Sequence, residues 1–370
     1  MRRMPRRGWT MFAAVPILVA LVLAGTAAFA GEARSARSGE KDLVMFVMTS
    51  TNVYGANQIK GAKQEAKRLG YNLKVYEHMF SQPQQDQQVQ QYLASGAKPA
   101  AVIFWPWIAA AGVNDVRLLS RVAPVIQMTQ EPFPKAWPYV KAYAGANQVI
   151  IGEVAGQMLL QARAAAKKAG LKLHGPNGNL LVFQHPQGEF TGTARWQGVT
   201  KVTKGKEFKV LGTEYGANDP DTGYKIGSQV IPKYKSKGID FLYVSNQQAA
   251  NGIIRALKEN GLSPGKDVYI VSSDCSGSLT AVKNGETFGT GLQPAAIEGT
   301  VAVRTAVQYL TTDKVKPGKY QYPAAKTPPA FNANTVPSKY NYMPHAPAVG
   351  KAGVTAARVW GYTADQICAS

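Results

Sequence analysis

From residue 42 onward the chain alternates short apolar or β-branched runs with segments whose apolar positions recur every three or four residues, and this alternation constrains the fold more than any single motif. Leu43–Met48 reads as a buried strand, and Ile59, Ala62, Ala66 and Leu69 follow at helical spacing, with Gly70 to close the helix. Next come Leu73–Tyr76, a glutamine-rich helix about Gln84 to Ser95, Ala100–Phe104, a helix about Ala110 to Ser120, and Pro124–Gln127. Strand and helix units repeating at about 30 residues imply right-handed crossovers and a parallel sheet.

A second series of similar size begins after Ala146-Asn147. Its helices run to about Ala169, from about Phe190 to Val202, from about Asp219, and through Ile253, Ile254 and Leu257; its strands are Asn179–Phe183, Lys209–Leu211, Phe241–Val244 and Val268–Val271, with Thr287-Phe288 in a last one. The fold class expected is therefore α/β, with two doubly wound parallel-sheet lobes. At 370 residues there is room for about two domains, and 45% hydrophobic content excludes a wholly disordered chain.

The formal net charge of +20 raises the question of an anionic partner. Part of it belongs to residues 1–30, where Arg2, Arg3, Arg6 and Arg7 precede an apolar run from Met11 to Leu23 and Ala28-Phe29-Ala30 supplies a small-x-small ending. This order is that of a cleaved secretory signal peptide; the alternative, an uncleaved anchor helix, has an apolar core short for a span. Its removal takes four arginines and no acid, leaving +16, and no cysteine near Ala30 suggests a lipid anchor. The mature chain is expected to be soluble, exported to the periplasm and monomeric. Nucleic acid is not an expected partner, because the lysines are scattered and no helix-turn-helix, zinc-finger spacing or RNP-like signature accompanies them.

Ligands of doubly wound sheets collect at the carboxyl ends of the strands, and polar or aromatic residues stand there. Asn52 and Tyr54 follow the first strand, Trp105 and Trp107 the third, Gln127 to Glu131 the fourth, Asn246 the Phe241 strand, Asp274 the Val268 strand and Gln293 the last. Asn, Asp, Arg and Gln side chains satisfy sugar hydroxyls by donating and accepting together, and an aromatic face covers the C–H face of the ring. Read singly, each has a plainer role: Asn52 a turn residue, Tyr54 and Trp105 packing, Arg195 a solvated arginine, Asp274 a helix cap. His185 follows the Leu180–Phe183 strand and has two readings, one facing the cleft and one, preferred, in a surface loop.

Thr51-Asn52-Val53-Tyr54, Gly61–Ala66 and Leu69–Leu73, then Arg195-Trp196-Gln197-Gly198, Val244-Ser245-Asn246, Ser273-Asp274 and Gly291-Leu292-Gln293-Pro294, occur in the order found in type I periplasmic sugar-binding proteins, the ribose-binding kind above all. The resemblance covers roughly residues 42 to 310. It implies two lobes joined by a hinge that close on a sugar or polyol and deliver it to an ABC-type permease, without a cofactor. Carried over by position, it implies ligand contacts at Asn52 and Tyr54 from one lobe, at Arg195, Asn246 and Asp274 from the other, and at Gln293 near a hinge crossing; Trp105 and Gln130 are added as candidates. The crossings are expected near Ala146, Gln293 and Tyr322, giving a first lobe of 41–146 plus 294–322 and a second of 147–293. The sequence departs from the ribose pattern at Thr129-Gln130-Glu131, where an Asp-Arg pair is expected, at Gly55 and at Pro220, where aromatics are expected. These departures point away from ribose itself, toward another sugar or a linear polyol.

Residues 323–370 are rich in proline, and their apolar and aromatic content favours an extension that wraps the lobes over a disordered tail. A short helix is expected near Val354 to Trp360. In an oxidising compartment Cys275 and Cys368 are candidates for a disulfide beside Asp274. No G-x-S-x-G, Walker A or H-E-x-x-H motif appears and the histidines lack metal spacing, so a sugar-acting enzyme is the weaker reading and no metal site is expected. A sensor subunit that presents a sugar-like signal to a membrane receptor is the other alternative.

Overall fold

The computed structural model describes residues 41–315, 339–343, 347–359 and 362–368. The leader, most of the proline-rich segment, Tyr322 and Trp360 lie outside these residues. The described chain falls within one compact unit, Ser38–Ser370, built on two six-stranded sheets.

The first sheet comprises β1 (Asp42–Met48), β2 (Asn72–His78), β3 (Ala101–Phe104), β4 (Val125–Met128), β5 (Val140–Gly145) and β11 (Tyr340–Tyr342), in the order β11-β5-β4-β3-β1-β2 with all pairs parallel. The second holds β6 (Asn179–Gln184), β7 (Lys209–Tyr215), β8 (Phe241–Val244), β9 (Tyr269–Ser272), β10 (Gly289–Gly291) and β12 (Ala348–Gly350), in the order β12-β10-β9-β8-β6-β7, with only the β10–β12 pair antiparallel. Each sheet thus reverses its winding beside its first strand, between β1 and β3 and between β6 and β8, the place where such sheets open a crevice.

Both faces of each sheet are buried, as parallel sheets require. Along β1, Leu43, Met45 and Val47 enter one apolar cluster while Val44 and Phe46 enter the one behind it; Leu181 and Phe183 of β6 are separated from Leu180 and Val182 in the same way. Helices α1 (Val53–Arg68), α2 (Gln82–Ala94) and α3 (Val113–Leu119) cover the first sheet together with α9 (Ala295–Thr312). Helices α4 (Gln148–Lys168), α5 (Phe190–Thr203), α6 (Pro220–Lys235), α7 (Gln247–Glu259) and α8 (Thr280–Asn284) belong to the second.

The chain passes between the sheets from β5 into α4 through Ala146 and from β10 into α9 through Gln293. A third passage joins β11 to β12 through Met343 and Pro347, and so lies after the position expected from Tyr322. The last described segment places β13 (Arg358–Val359) where a helix is expected, behind a short α10 (Lys351–Val354), because the apolar spacing there is too brief to sustain a longer helix. It pairs with β14 (Tyr362–Thr363), and α11 (Ala364–Cys368) then joins the core around β1. Cys368 is disulfide-bonded to Cys275, with Cα atoms 5.2 Å apart. The tenth strand begins at Gly289, two residues after the expected Thr287.

Candidate functional site

The carboxyl ends of the two sets of strands border a shared cleft with about 480 Å³ of empty space, part of it open to solvent. Its two walls differ in chemistry. The loops of the first sheet contribute Met48, Tyr54, Phe80, Trp105 and Trp107, with Asn52 and Thr129 as the polar members. The second sheet contributes His185, Glu189, Thr191, Arg195, Asn218, Asn246, Gln248, Asp274 and Ser276, none of them apolar.

The aromatic wall is held from behind. Tyr54 meets Trp105 edge-to-face at 6.3 Å between ring centres, and Trp107 packs against Phe80 at 5.4 Å and His78 at 5.7 Å. Three glutamines grip the loop that carries the tryptophans. Gln85 donates to the Trp105 carbonyl at 2.7 Å and accepts from Trp107 N; Gln82 accepts from Ile108 N; Gln130 donates to the Trp107 carbonyl at 2.5 Å and accepts from Ala109 N. Phe80 stands at φ +53°, sparsely populated for a bulky residue, so the surrounding packing holds its ring in place at an energetic cost.

On the polar wall Arg195 is the centre of a closed network. Its Nε donates to Gln148 Oε1 at 2.9 Å, Nη1 to the Ser245 carbonyl and to Asp274 Oδ2 at 2.5 Å each, and Nη2 to Gln293 Oε1 at 2.7 Å. Burial works most strongly against its charge, yet Asp274, Tyr243 and Tyr54 together outweigh it and hold the guanidinium above its usual range. Asp274 in turn accepts from Ser276 N and Oγ through its other oxygen. The position of Arg195 is set by close helix packing: a Cβ at Gly152 would lie 1.9 Å from the Arg195 carbonyl oxygen, so only glycine lets α4 and α5 approach this far.

Three cavity residues are helix N-caps. Asn52 accepts from Tyr54 N, Glu189 from Gly192 N and Asn246 from Ala249 N at 2.7–2.9 Å, which leaves the second polar atom of each side chain for other work. The Asn52 amide spends it across the cleft on Gln248 Oε1 at 3.4 Å, and that of Asn246 donates to the Asn218 carbonyl at 3.1 Å. His185 Nδ1 is 2.8 Å from Asn218 Oδ1. Two buried polar atoms of the cavity residues, Trp105 Nε1 and Thr191 Oγ1, have no hydrogen-bond partner among the described residues.

Behind Tyr54 lies the hinge. Glu298, in the first turn of α9, is fully buried and receives Tyr54 OH at 2.7 Å, Thr129 Oγ1 at 3.2 Å and Gln58 Nε2 on one oxygen and Ala146 N at 3.1 Å on the other. It therefore ties the Ala146 and Gln293 passages together, while Gln293 Nε2 donates to Tyr54 OH and links this cluster to Arg195. Burial raises the Glu298 carboxyl above its ordinary range against the pull of these donors, and burial followed by the Glu298 charge raises the Tyr54 phenol well above its own.

The structure brings six of the eight expected residues, Asn52, Tyr54, Trp105, Arg195, Asn246 and Asp274, to the cavity. Gln130 and Gln293 are elsewhere. Thr129 sits at φ +62° in a tight turn closed by Gln130 N on the Met128 carbonyl, which turns the Gln130 side chain away from the cavity into the tryptophan loop. Gln293 is consumed by Arg195 and Tyr54 and borders a smaller hinge cavity with Ala146 and Ser273. His185, expected on the surface, is on the cavity wall because it follows β6 at the point where the second sheet reverses. The same position rule covers Phe80 after β2, Glu189 after β6, Asn218 after β7 and Gln248 after β8, which sequence reasoning passed over.

A sequence profile of the periplasmic binding protein domain matches residues 43–314, nearly three-quarters of the chain. The chain belongs to this family. Among its periplasmic binding protein relatives, the ribose import binding protein RbsB of Escherichia coli K12 is 25% identical over 285 residues, which span 76% of this chain and 89% of the relative. Solved structures of similar fold include an ABC transporter solute binding protein from Agrobacterium vitis with bound D-fucose, at TM-score 0.70 and 18% identity, over 88% of this chain and 99% of that one. Another is the arabinose ABC transporter binding protein from Shewanella sp. ANA-3 bound to L-arabinofuranose, at TM-score 0.66 and 18% identity, over 84% and 92% of the two chains.

Proposed function

We propose that this protein is the exported receptor of an ABC transporter, that it captures one sugar or polyol of about monosaccharide size between its two lobes, and that it hands this molecule to a membrane permease. The observation that carries the reading is the pairing of an uncharged aromatic wall with a wall of amides, hydroxyls and carboxylates around a single cavity. Sugars have both kinds of surface, a C–H face that packs on aromatic rings and a rim of hydroxyls that need donors and acceptors together. The E. coli relative is named for ribose import, and relatives of the same fold hold D-fucose and L-arabinofuranose; the leader of this chain supplies the export.

In this reading Tyr54 and Trp105 pack against the ring, and Asn246, Asp274 and the remaining capacity of Asn52 serve hydroxyls. Arg195 acts chiefly by holding Asp274 and Gln293. Closure needs a ligand, or direct contacts, that favour the closed arrangement; Asn52 to Gln248 and Phe190 N to Gln130 Oε1 at 3.3 Å are direct contacts across the cleft. The bound molecule leaves chemically unchanged, and the protein works as a monomer in the periplasm.

Thermal unfolding against pentoses, hexoses, deoxysugars, inositols and short polyols tests the reading. A ligand at 100 times its Kd adds about 2.7 kcal/mol of stability. One sugar or a few related ones raising Tm is the expected outcome; no shift across the panel refutes it, and conversion of a sugar during incubation refutes the absence of turnover.

A further inference from the structure

We propose that the preferred ligand carries a positively charged nitrogen on a hydroxylated frame, the chemistry of an amino sugar; this rests on the sugar-binding reading above and narrows it. The charges around the cavity do not cancel. Arg195 and Asp274 neutralise each other at 2.5 Å, both almost fully buried. Glu189 remains. Its side chain is 3% exposed on the cavity wall, its carboxylate accepts one hydrogen bond, from Gly192 N, and among the described residues no basic side chain pairs with it.

A buried carboxylate is costly unless it is paired and hydrogen-bonded. The N-terminus of α5 supplies part of what Glu189 needs, and among the described residues the other oxygen has no donor. His185 is engaged at Nδ1, 2.8 Å from Asn218 Oδ1.

The opposite wall is suited to the same ligand. Tyr54, Phe80, Trp105 and Trp107 present aromatic groups without a charge among them, and aromatic faces attract ammonium groups most strongly where water is excluded. A bare amine would not complete the site. The cleft offers Asn52, Asn218, Asn246 and Ser276 beside Glu189, amides and a hydroxyl that suit hydroxyl groups on the ligand. An ammonium for Glu189 and hydroxyls for these amides and Ser276 together describe an amino-substituted ring.

Matched triplets test this: galactosamine, galactose and N-acetylgalactosamine, and the corresponding glucose and mannose series, titrated calorimetrically into wild-type protein and into Glu189→Gln. The amide retains an oxygen for Gly192 N, so α5 keeps its cap. In at least one series the amine is expected to bind tenfold or more tightly than both its parent sugar and its N-acetyl form, and Glu189→Gln to erase that preference. A parent or N-acetyl sugar that binds as well as its amine overturns the inference and leaves the sugar reading standing. An amine preference that survives Glu189→Gln overturns the assignment to Glu189. Failure of every member of all three series to bind overturns the amino-sugar inference, and the neutral panel above then decides the sugar reading separately.

Discussion

Replacing Arg195 with methionine removes the cation that pairs with Asp274 and leaves that carboxyl group buried without it. The two side chains are 3% and 4% exposed, so water cannot replace the lost partner. Methionine keeps an unbranched stem, which limits the packing loss, but four hydrogen bonds disappear, one of them to a carboxylate. Breaking a buried pair from one side costs about 3–5 kcal/mol. The double variant Arg195→Met/Asp274→Asn removes both charges, so it should be more stable than the single one, with a coupling of about 2 kcal/mol. Urea unfolding followed by circular dichroism measures all members of the cycle. An Arg195→Met protein within about 0.5 kcal/mol of wild type, or a double variant no more stable than the single, would refute the claim that this pair organises the wall.

Other outcomes follow from the same structure. The disulfide closes a separation of 93 residues, so replacing Cys275 and Cys368 with serine should cost about 4–5 kcal/mol on chain entropy, visible as a lower Tm; an unchanged Tm would mean the tail is secured without it. Burial, with Asp86 adding, pushes the Asp115 carboxyl up to about 8. Because the unfolded group titrates near about 3.9, its contribution is greatest at low pH and is lost as pH rises toward about 8, so Asp115→Asn should flatten the stability profile between those limits. His78, lowered to about 4 by burial, acts in the opposite sense: its contribution is present above about 6.5 and is lost as pH falls toward 4. His78→Phe should remove that acid loss, and urea midpoints at pH 4.5 and 7 measure it.

Strand and helix order was legible because parallel sheets buried on both faces leave continuous apolar runs such as Leu43–Met48 and Phe241–Val244. Asn52, Trp105 and Asn246 could be found because the residues that follow strands in such sheets border the crevice. Gln130 could not be placed, since the turn at Thr129 that redirects it depends on a backbone conformation that a threonine does not advertise. Glu298 reads in sequence as an ordinary first-turn acid of a helix, and only the meeting of α9 with Tyr54, Gln58 and Ala146 makes it the tie across two hinge passages.

The central claim is that both walls of the cavity hold one ligand. Calorimetric titration of the most stabilising sugar into wild type, Trp105→Leu from the aromatic wall and Asn246→Ser from the polar wall tests it directly, serine keeping an oxygen to cap α7. The account predicts one sugar per chain and a tenfold or greater loss of affinity in each variant. Undiminished affinity in either variant would mean that its wall does not touch the ligand, and would contradict the claim.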